Sequence, residues 1–176
     1  GHVRGNAPDP TPGVSPAIAT PDSRYSLFSA SKVVVAMLVH LFDDRGLLHL
    51  DDAVCEYIPG FGKHGKSRMT LRHVLTHRAG IPAVPGGSVD LDVLTDPDQM
   101  LTAMCEARAQ TRAGRRLAYH AITGGFVLAE VLKRVTGKDV RQLLDEEIRG
   151  PMGLETFTYG VPADEAQDVA QNIFTG

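Results

Sequence analysis

Residues 28–46 read FSASKVVVAMLVHLFDDRG, and the fold turns on this stretch. Val33, Val34, Val35, Met37, Leu38, Val39, Leu41 and Phe42 are dense enough to cover nearly the whole circumference of a helix from Ser31 to about Arg45. Gly46 follows its last turn, a usual helix stop. A helix apolar on all sides belongs in the middle of a domain. At its mouth stand Ser29 and Lys32. Side chains three apart share a helix face, which predicts the hydroxyl and the amine within hydrogen-bond reach. A serine hydroxyl is a poor nucleophile until a base takes its proton, and a lysine can do so when burial or nearby positive charge lowers its pKa. Apolar neighbours are expected to bury Lys32, and the positive helix N-terminus adds to the push. Seven serines and five lysines would produce an accidental Ser-x-x-Lys roughly 0.2 times. The motif is therefore weak alone; its place at the mouth of the most apolar helix makes Ser29 the candidate nucleophile and Lys32 its base.

Before this helix, residues 1–28 carry Pro8, Pro10, Pro12, Pro16 and Pro21 among small and polar residues. No helical or strand period survives there, so the segment reads as extended and superficial. Residues 29–176 read as one helical unit. Short helices are expected around Asp51 to Tyr57 and from Thr70 to about Arg78, with a Gly- and Pro-rich loop over 79–95. Asp96-Pro97 is an N-cap and first-turn pair for a helix to about Ala107. Ile122 to Thr136 is amphipathic, with Gly137 as its stop. Asp139 with Gln142 forms a capping-box pattern for a helix ending at Gly150-Pro151. One more helix is expected from Ala163. No strand and no internal repeat is legible.

The net charge of -3 is too small to argue for nucleic acid or a membrane surface as partner, and no basic cluster with interleaved aromatics is present. No apolar run approaches the ~20 residues that span a bilayer. Cys55 and Cys105 make no framework and are expected as buried free thiols. His73 and His77 have metal-ligand spacing, but no third ligand is in view and no HExxH pattern exists, so both read as structural. His40 reads as a core histidine and His120 as a residue at the site mouth. Gly124-Gly125 lacks phosphate-loop context and reads as permitting close helix packing. No Gly-x-Ser-x-Gly elbow is present, which argues against an α/β-hydrolase.

Four ordered motifs carry a resemblance over about Phe28 to Thr158. Leu50-Asp51-Asp52-Ala53-Val54 with Tyr57-Ile58-Pro59 resembles the segment after the nucleophile helix in class C β-lactamases and related carboxylesterases. Met69-Thr70-Leu71-Arg72-His73-Val74-Leu75-Thr76-His77-Arg78-Ala79-Gly80-Ile81-Pro82 is similar to the most recognisable stretch of that serine β-lactamase and penicillin-binding-protein-like family. Val135-Thr136-Gly137 and Pro151-Met152-Gly153-Leu154 match two further landmarks in order. The resemblance implies an α/β (α+β) β-lactamase/transpeptidase-like fold, an antiparallel sheet backed by a helical lobe, with this chain mostly the α-helical lobe. It also implies that Tyr119, in Tyr119-His120-Ala121, lies beside the serine and shares proton transfer with the lysine.

Two departures shape the functional expectation. The third residue of the Tyr119 motif is usually Asn in penicillin-recognising enzymes, where it binds the substrate amide; here it is Ala121. That favours an ester over a β-lactam or peptide. The family's third motif, a basic residue or His, then a small residue, then Gly, has no match after Tyr119. Lys63-His64-Gly65 fits its letters but precedes Tyr119, and reads as a decoy. Together with the missing initiator Met, this reads as an excised or cleaved lobe whose partner is the remainder of its own domain, inert alone. The implied activity is hydrolysis of a small-molecule ester or amide through an acyl-serine, with carboxylesterase leading. β-Lactamase, D-alanyl-D-alanine carboxypeptidase, acyltransferase and a non-catalytic ligand-binding module stand as alternatives. The implied mechanism needs no metal or organic cofactor.

Overall fold

In the computed structural model, residues 2–4, 17–83 and 94–172 are described. Helix α1 (Ser31–Asp44) sets down Val34, Val35, Leu38, Val39 and Phe42 at spacings of three and four, and these five are its buried residues. The helix it packs on is α5 (Thr123–Thr136), which contributes Val127, Leu128, Val131 and Leu132. Helix α5 is the shared partner of the fold. It also touches α2 (Val54–Tyr57), α3 (Leu71–Leu75), α4 (Pro97–Glu106) and α6 (Val140–Leu144). A 3-10 turn over Pro59–Gly62 sits between α2 and α4 and buries Phe61.

Helix α1 departs from expectation on one side. Val33 and Met37 are 61% and 49% exposed, and His40 is exposed rather than in the core. No described element packs on that face, so α1 lies at an edge of the described fold with an apolar outer stripe. The N-terminal segment departs too. His2–Arg4 pairs antiparallel with Ala17–Ile18 as strands β1 and β2, where no strand was legible. The prolines at 8, 10, 12 and 16, and much of the expected 79–95 loop, lie outside the described residues.

Capping decides the helix limits. Asp96 Oδ1 accepts from the Asp98 and Gln99 N–H groups at 3.1 and 3.0 Å, and Pro97 opens α4. Asp139 and Gln142 form the reciprocal box of α6. The chain does not stop at Gly150-Pro151. It runs on through a π turn (Asp145–Arg149) and one further turn, α7 (Gly150–Met152), to Gly153 at φ +66°. The Gly150 N–H bonds the Asp145 carbonyl five residues back, and Pro151, which has no N–H to place, begins the next turn. A Cβ at Gly150 would stand 2.9 Å from that carbonyl, so glycine permits the approach. The expected tail helix is a 3-10 turn, Ala163–Asp168. It is tied to the segment ahead of Ser29 by Arg24 Nη1 with Glu165 Oε2 at 2.5 Å and by Ala170 N–H on the Arg24 carbonyl at 2.8 Å.

The motifs at 50–54 and 69–72 are zipped together. Arg72 donates to both oxygens of Asp51 at 2.6 and 2.8 Å, while backbone bonds join Arg72 to Leu50, Leu71 to Asp52 and Val54 to Met69. One buried charge has no counterpart in the sequence reading. Lys66 is 1% exposed, and its Nζ donates to the Cys105 carbonyl at 3.0 Å and to the Ala107 carbonyl, closing the C-terminus of α4. Cys55 and Cys105 are free but half-buried, less enclosed than expected.

Glycine roles also separate. The Gly80 backbone is left-handed at φ +83°, and a Cβ there would stand 2.1 Å from the Thr111 carbonyl oxygen. At Gly125 nothing lies within 4 Å, and at Gly124 a Cβ would meet Val74 and His120 at ordinary contact distance, so close packing does not require either. Gly80→Ala should therefore destabilise by about 2 kcal/mol or more, whereas Gly125→Ala should stabilise by about 0.5–1 kcal/mol. Urea unfolding of the two variants against wild type checks both signs.

Candidate active site

A 3-10 turn over Phe28–Ala30 leads directly into α1. Phe28 enters it at φ +46°, a left-handed conformation that costs a non-glycine residue about 1–2 kcal/mol. The Ser31 hydroxyl, donating to the Phe28 carbonyl at 2.6 Å, holds this bend. Ser29 is thereby presented at the helix mouth. Lys32 Nζ donates to Ser29 Oγ at 3.2 Å, as the three-residue spacing predicts. Tyr119, ninety residues further along, places its hydroxyl 2.6 Å from the same oxygen. Lys32 Nζ also lies 5.2 Å from the centroid of the Tyr119 ring. All three residues singled out in the sequence meet at one atom.

The surroundings are wetter than expected. Lys32 is half-buried rather than enclosed, and Tyr119 is 52% exposed. The hydrogen bond to Ser29 holds the Tyr119 phenol below its ordinary pKa, and the Lys32 ammonium lowers it further, with partial burial opposing both. Tyr57 and Tyr159 move the other way, each pushed up to about 12 chiefly by burial.

Histidines frame the site without joining it. His120 is fully buried in a cavity wall, not at the mouth. Its Nε2 accepts from the Ile81 N–H at 3.1 Å, and its neighbour Thr123 donates to the Ile81 carbonyl at 2.7 Å. Among the described residues His120 Nδ1 has no partner of hydrogen-bond geometry, although the Ala118 carbonyl exerts a pull on the ring; burial dominates and lowers its pKa. His73 Nδ1 accepts from the Thr70 N–H at 3.1 Å within the N-cap of α3. His77 lies beyond the end of α3, not on it, in a left-handed conformation at φ +57°. Its Nδ1 accepts from the His120 N–H at 3.2 Å. The two imidazoles thus serve separate backbone donors. The part His77 plays was not legible, because nothing in the letters marks a left-handed histidine.

Ala121 is exposed at the rim of a cavity of about 400 Å³, mostly apolar, whose walls include Lys32, Val35, Val74, His77 and Phe126. Lys63-His64-Gly65 is elsewhere engaged: Lys63 Nζ and His64 Nε2 both reach Glu106, at 2.5 and 3.4 Å.

Ser29, Lys32 and Tyr119 thus meet as the resemblance read in the sequence implies, and comparisons with known proteins show the family. A family-wide profile described as Beta-lactamase matches residues 13–173, and the chain belongs to that family. It is 36% identical over 157 residues to the esterase/beta-lactamase LipL of Mycobacterium tuberculosis, covering 86% of this chain and 35% of that protein. It is 28% identical over 153 residues to the D-alanyl-D-alanine-carboxypeptidase/endopeptidase AmpH of Escherichia coli, covering 83% and 39%. A penicillin-binding protein homolog from Caulobacter crescentus superposes with a TM-score of 0.83 at 30% identity, covering 90% of this chain and 42% of that one. A family VIII carboxylesterase superposes with a TM-score of 0.77 at 32% identity, covering 83% and 40%. The chain is thus the helical lobe of the β-lactamase fold, spanning between 35% and 42% of the length of these four relatives.

The Tyr119 environment is directly measurable. In a spectrophotometric phenolate titration, Tyr119 should ionise at lower pH than Tyr57 and Tyr159, and Tyr119→Phe should remove that early step. Ser29→Ala should move it to higher pH, since the hydrogen-bonded contact between Tyr119 and Ser29 is its largest cause. An early step unchanged in Tyr119→Phe would mean that another tyrosine carries it.

Proposed function

We propose that Ser29 is the covalent nucleophile of an acyl-transfer site, that Lys32 and Tyr119 handle its proton, and that the reaction is hydrolysis of a carboxylic ester. The observation that carries this reading is the convergence of Lys32 Nζ and the Tyr119 hydroxyl on Ser29 Oγ at 3.2 and 2.6 Å. With Tyr119 ionised beside the Lys32 ammonium, Oγ attacks the ester carbonyl as its proton passes to the phenolate oxygen. The tetrahedral adduct collapses when that proton is returned to the departing alkoxide, leaving an acyl-serine. Water then attacks, giving its own proton to the same oxygen, and Ser29 is released with the proton restored. The Ser29 N–H serves as one oxyanion donor, and the second comes from the remainder of the domain.

Ester preference rests on Ala121. A β-lactam or peptide presents an amide that wants a polar partner, and an alanine methyl offers none. An amide buried without its partner costs about 1–3 kcal/mol, and each ~1.4 kcal/mol is a factor of ten in rate. Small esters escape that penalty. Similarity to a family VIII carboxylesterase is in keeping with the same choice.

In the protein that carries this chain, a fluorophosphonate should add once, at Ser29, and the adduct should vanish in Ser29→Ala; labelling at Ser26 or Ser31 would refute the assignment. p-Nitrophenyl acetate and butyrate should be turned over with higher kcat/KM than a chromogenic cephalosporin. Ala121→Asn should raise cephalosporin turnover relative to ester turnover. Tyr119→Phe should lower both by roughly 10²–10⁴. A wild-type preference for the cephalosporin would replace the esterase reading with a β-lactamase one.

A further inference from the structure

The end of α3 is built as a Schellman motif. The His77 N–H bonds the Val74 carbonyl at 3.1 Å and the Arg78 N–H bonds the His73 carbonyl at 2.7 Å, with His77 itself in the left-handed position. Glycine ordinarily fills that position because a Cβ is strained there. A histidine kept in such a place directs attention to what its side chain does.

The His77 carbonyl accepts from the Ala118 N–H at 3.0 Å, and the His77 Nδ1 accepts from the His120 N–H at 3.2 Å. Between those two donors lies Tyr119, whose ring meets the imidazole edge-on at 4.9 Å between centroids and 62° between planes. One residue therefore grips the extended segment on both sides of Tyr119 and braces the phenol ring itself. With Nδ1 accepting, the ring proton sits on Nε2. Burial and the Lys32 charge both hold the imidazole below its ordinary pKa, which keeps Nδ1 free to accept.

We infer that His77 is a positioning residue that holds the Tyr119 hydroxyl against Ser29 by clasping the Ala118 and His120 backbone. This rests on the proposed roles of Ser29 and Tyr119, but the clasp makes its own statement about where the phenol sits. Removing the ring leaves the helix stop and the Ala118 bond in place and frees the His120 side of the grip. A displacement of about 1 Å at a reacting group can cost about 10² in rate.

Two substitutions in the protein carrying this chain separate positioning from folding. His77→Gly suits the left-handed backbone and should melt no lower than wild type, yet lower kcat on p-nitrophenyl butyrate about 10- to 100-fold with KM within about twofold. In the same variant the early phenolate step of Tyr119 should shift to higher pH as its contact with Ser29 loosens. His77→Asn tolerates the left-handed backbone and offers Oδ1 in place of Nδ1, so it should recover much of both losses. The inference is overturned if His77→Gly keeps kcat and the Tyr119 titration at wild-type values. It is also overturned if Gly and Asn lose activity equally while both melt well below wild type. A wild-type protein that no fluorophosphonate labels at Ser29 would sink the proposed function instead, while the titration arm would still test the clasp.

Discussion

Burial against α5 decides where everything else can stand. Val127 and Val131 of that helix leave no surface to solvent, nor do Leu38 and Val39 of α1. A helix advances about 100° per residue, so fixing the inward direction at 34, 35, 38, 39 and 42 fixes the roll of α1. Ser29 and Lys32, one turn ahead, have no freedom left. The same α5 begins at Thr123, whose hydroxyl bonds the Ile81 carbonyl, and its N-terminal end therefore anchors the chain that brings Tyr119 into place. Apolar packing of two helices thus sets the distance between two polar groups that never touch the core.

Polar groups do the complementary work of fixing the connections. Asp51 with Arg72, Arg24 with Glu165, and Arg45 with Glu147 each join segments distant in the chain, the last with both guanidinium nitrogens engaged at 2.7 and 2.8 Å. Such exposed pairs contribute little individually. Their value here is in choosing which loop lies against which helix. Lys66 is of a different kind, a charge drawn inside the fold to satisfy the last carbonyls of α4, where water cannot reach.

Part of the site was legible because one of its two contacts is local. Ser29 and Lys32 are three residues apart, and helix geometry alone brings them together. Tyr119 has no such local reason and was found through the resemblance of its surroundings to a known family. Periodicity could not tell that Val33, Met37 and His40 face outward, because an apolar helix reads alike whether an edge or a core receives it. Pro151 looked like a stop since the letters do not show the wider π turn that makes room for it. Lys66 and His77 were opaque for a shared reason: each acts on backbone atoms brought near by tertiary folding.

The two contacts at Ser29 Oγ are not equally easy to assemble. The Ser29–Lys32 contact closes only one helical turn, whereas the contact with Tyr119 closes a loop of 90 residues. Long-range closure is entropically dearer and slower than local helix formation. A chain emerging during synthesis, or one that opens briefly at the 118–120 segment, therefore already holds serine beside lysine while the phenol is still absent. The serine–lysine contact is shaped early and the phenol arrives last, so half-folded forms of this lobe hold two of the three side chains together without the third.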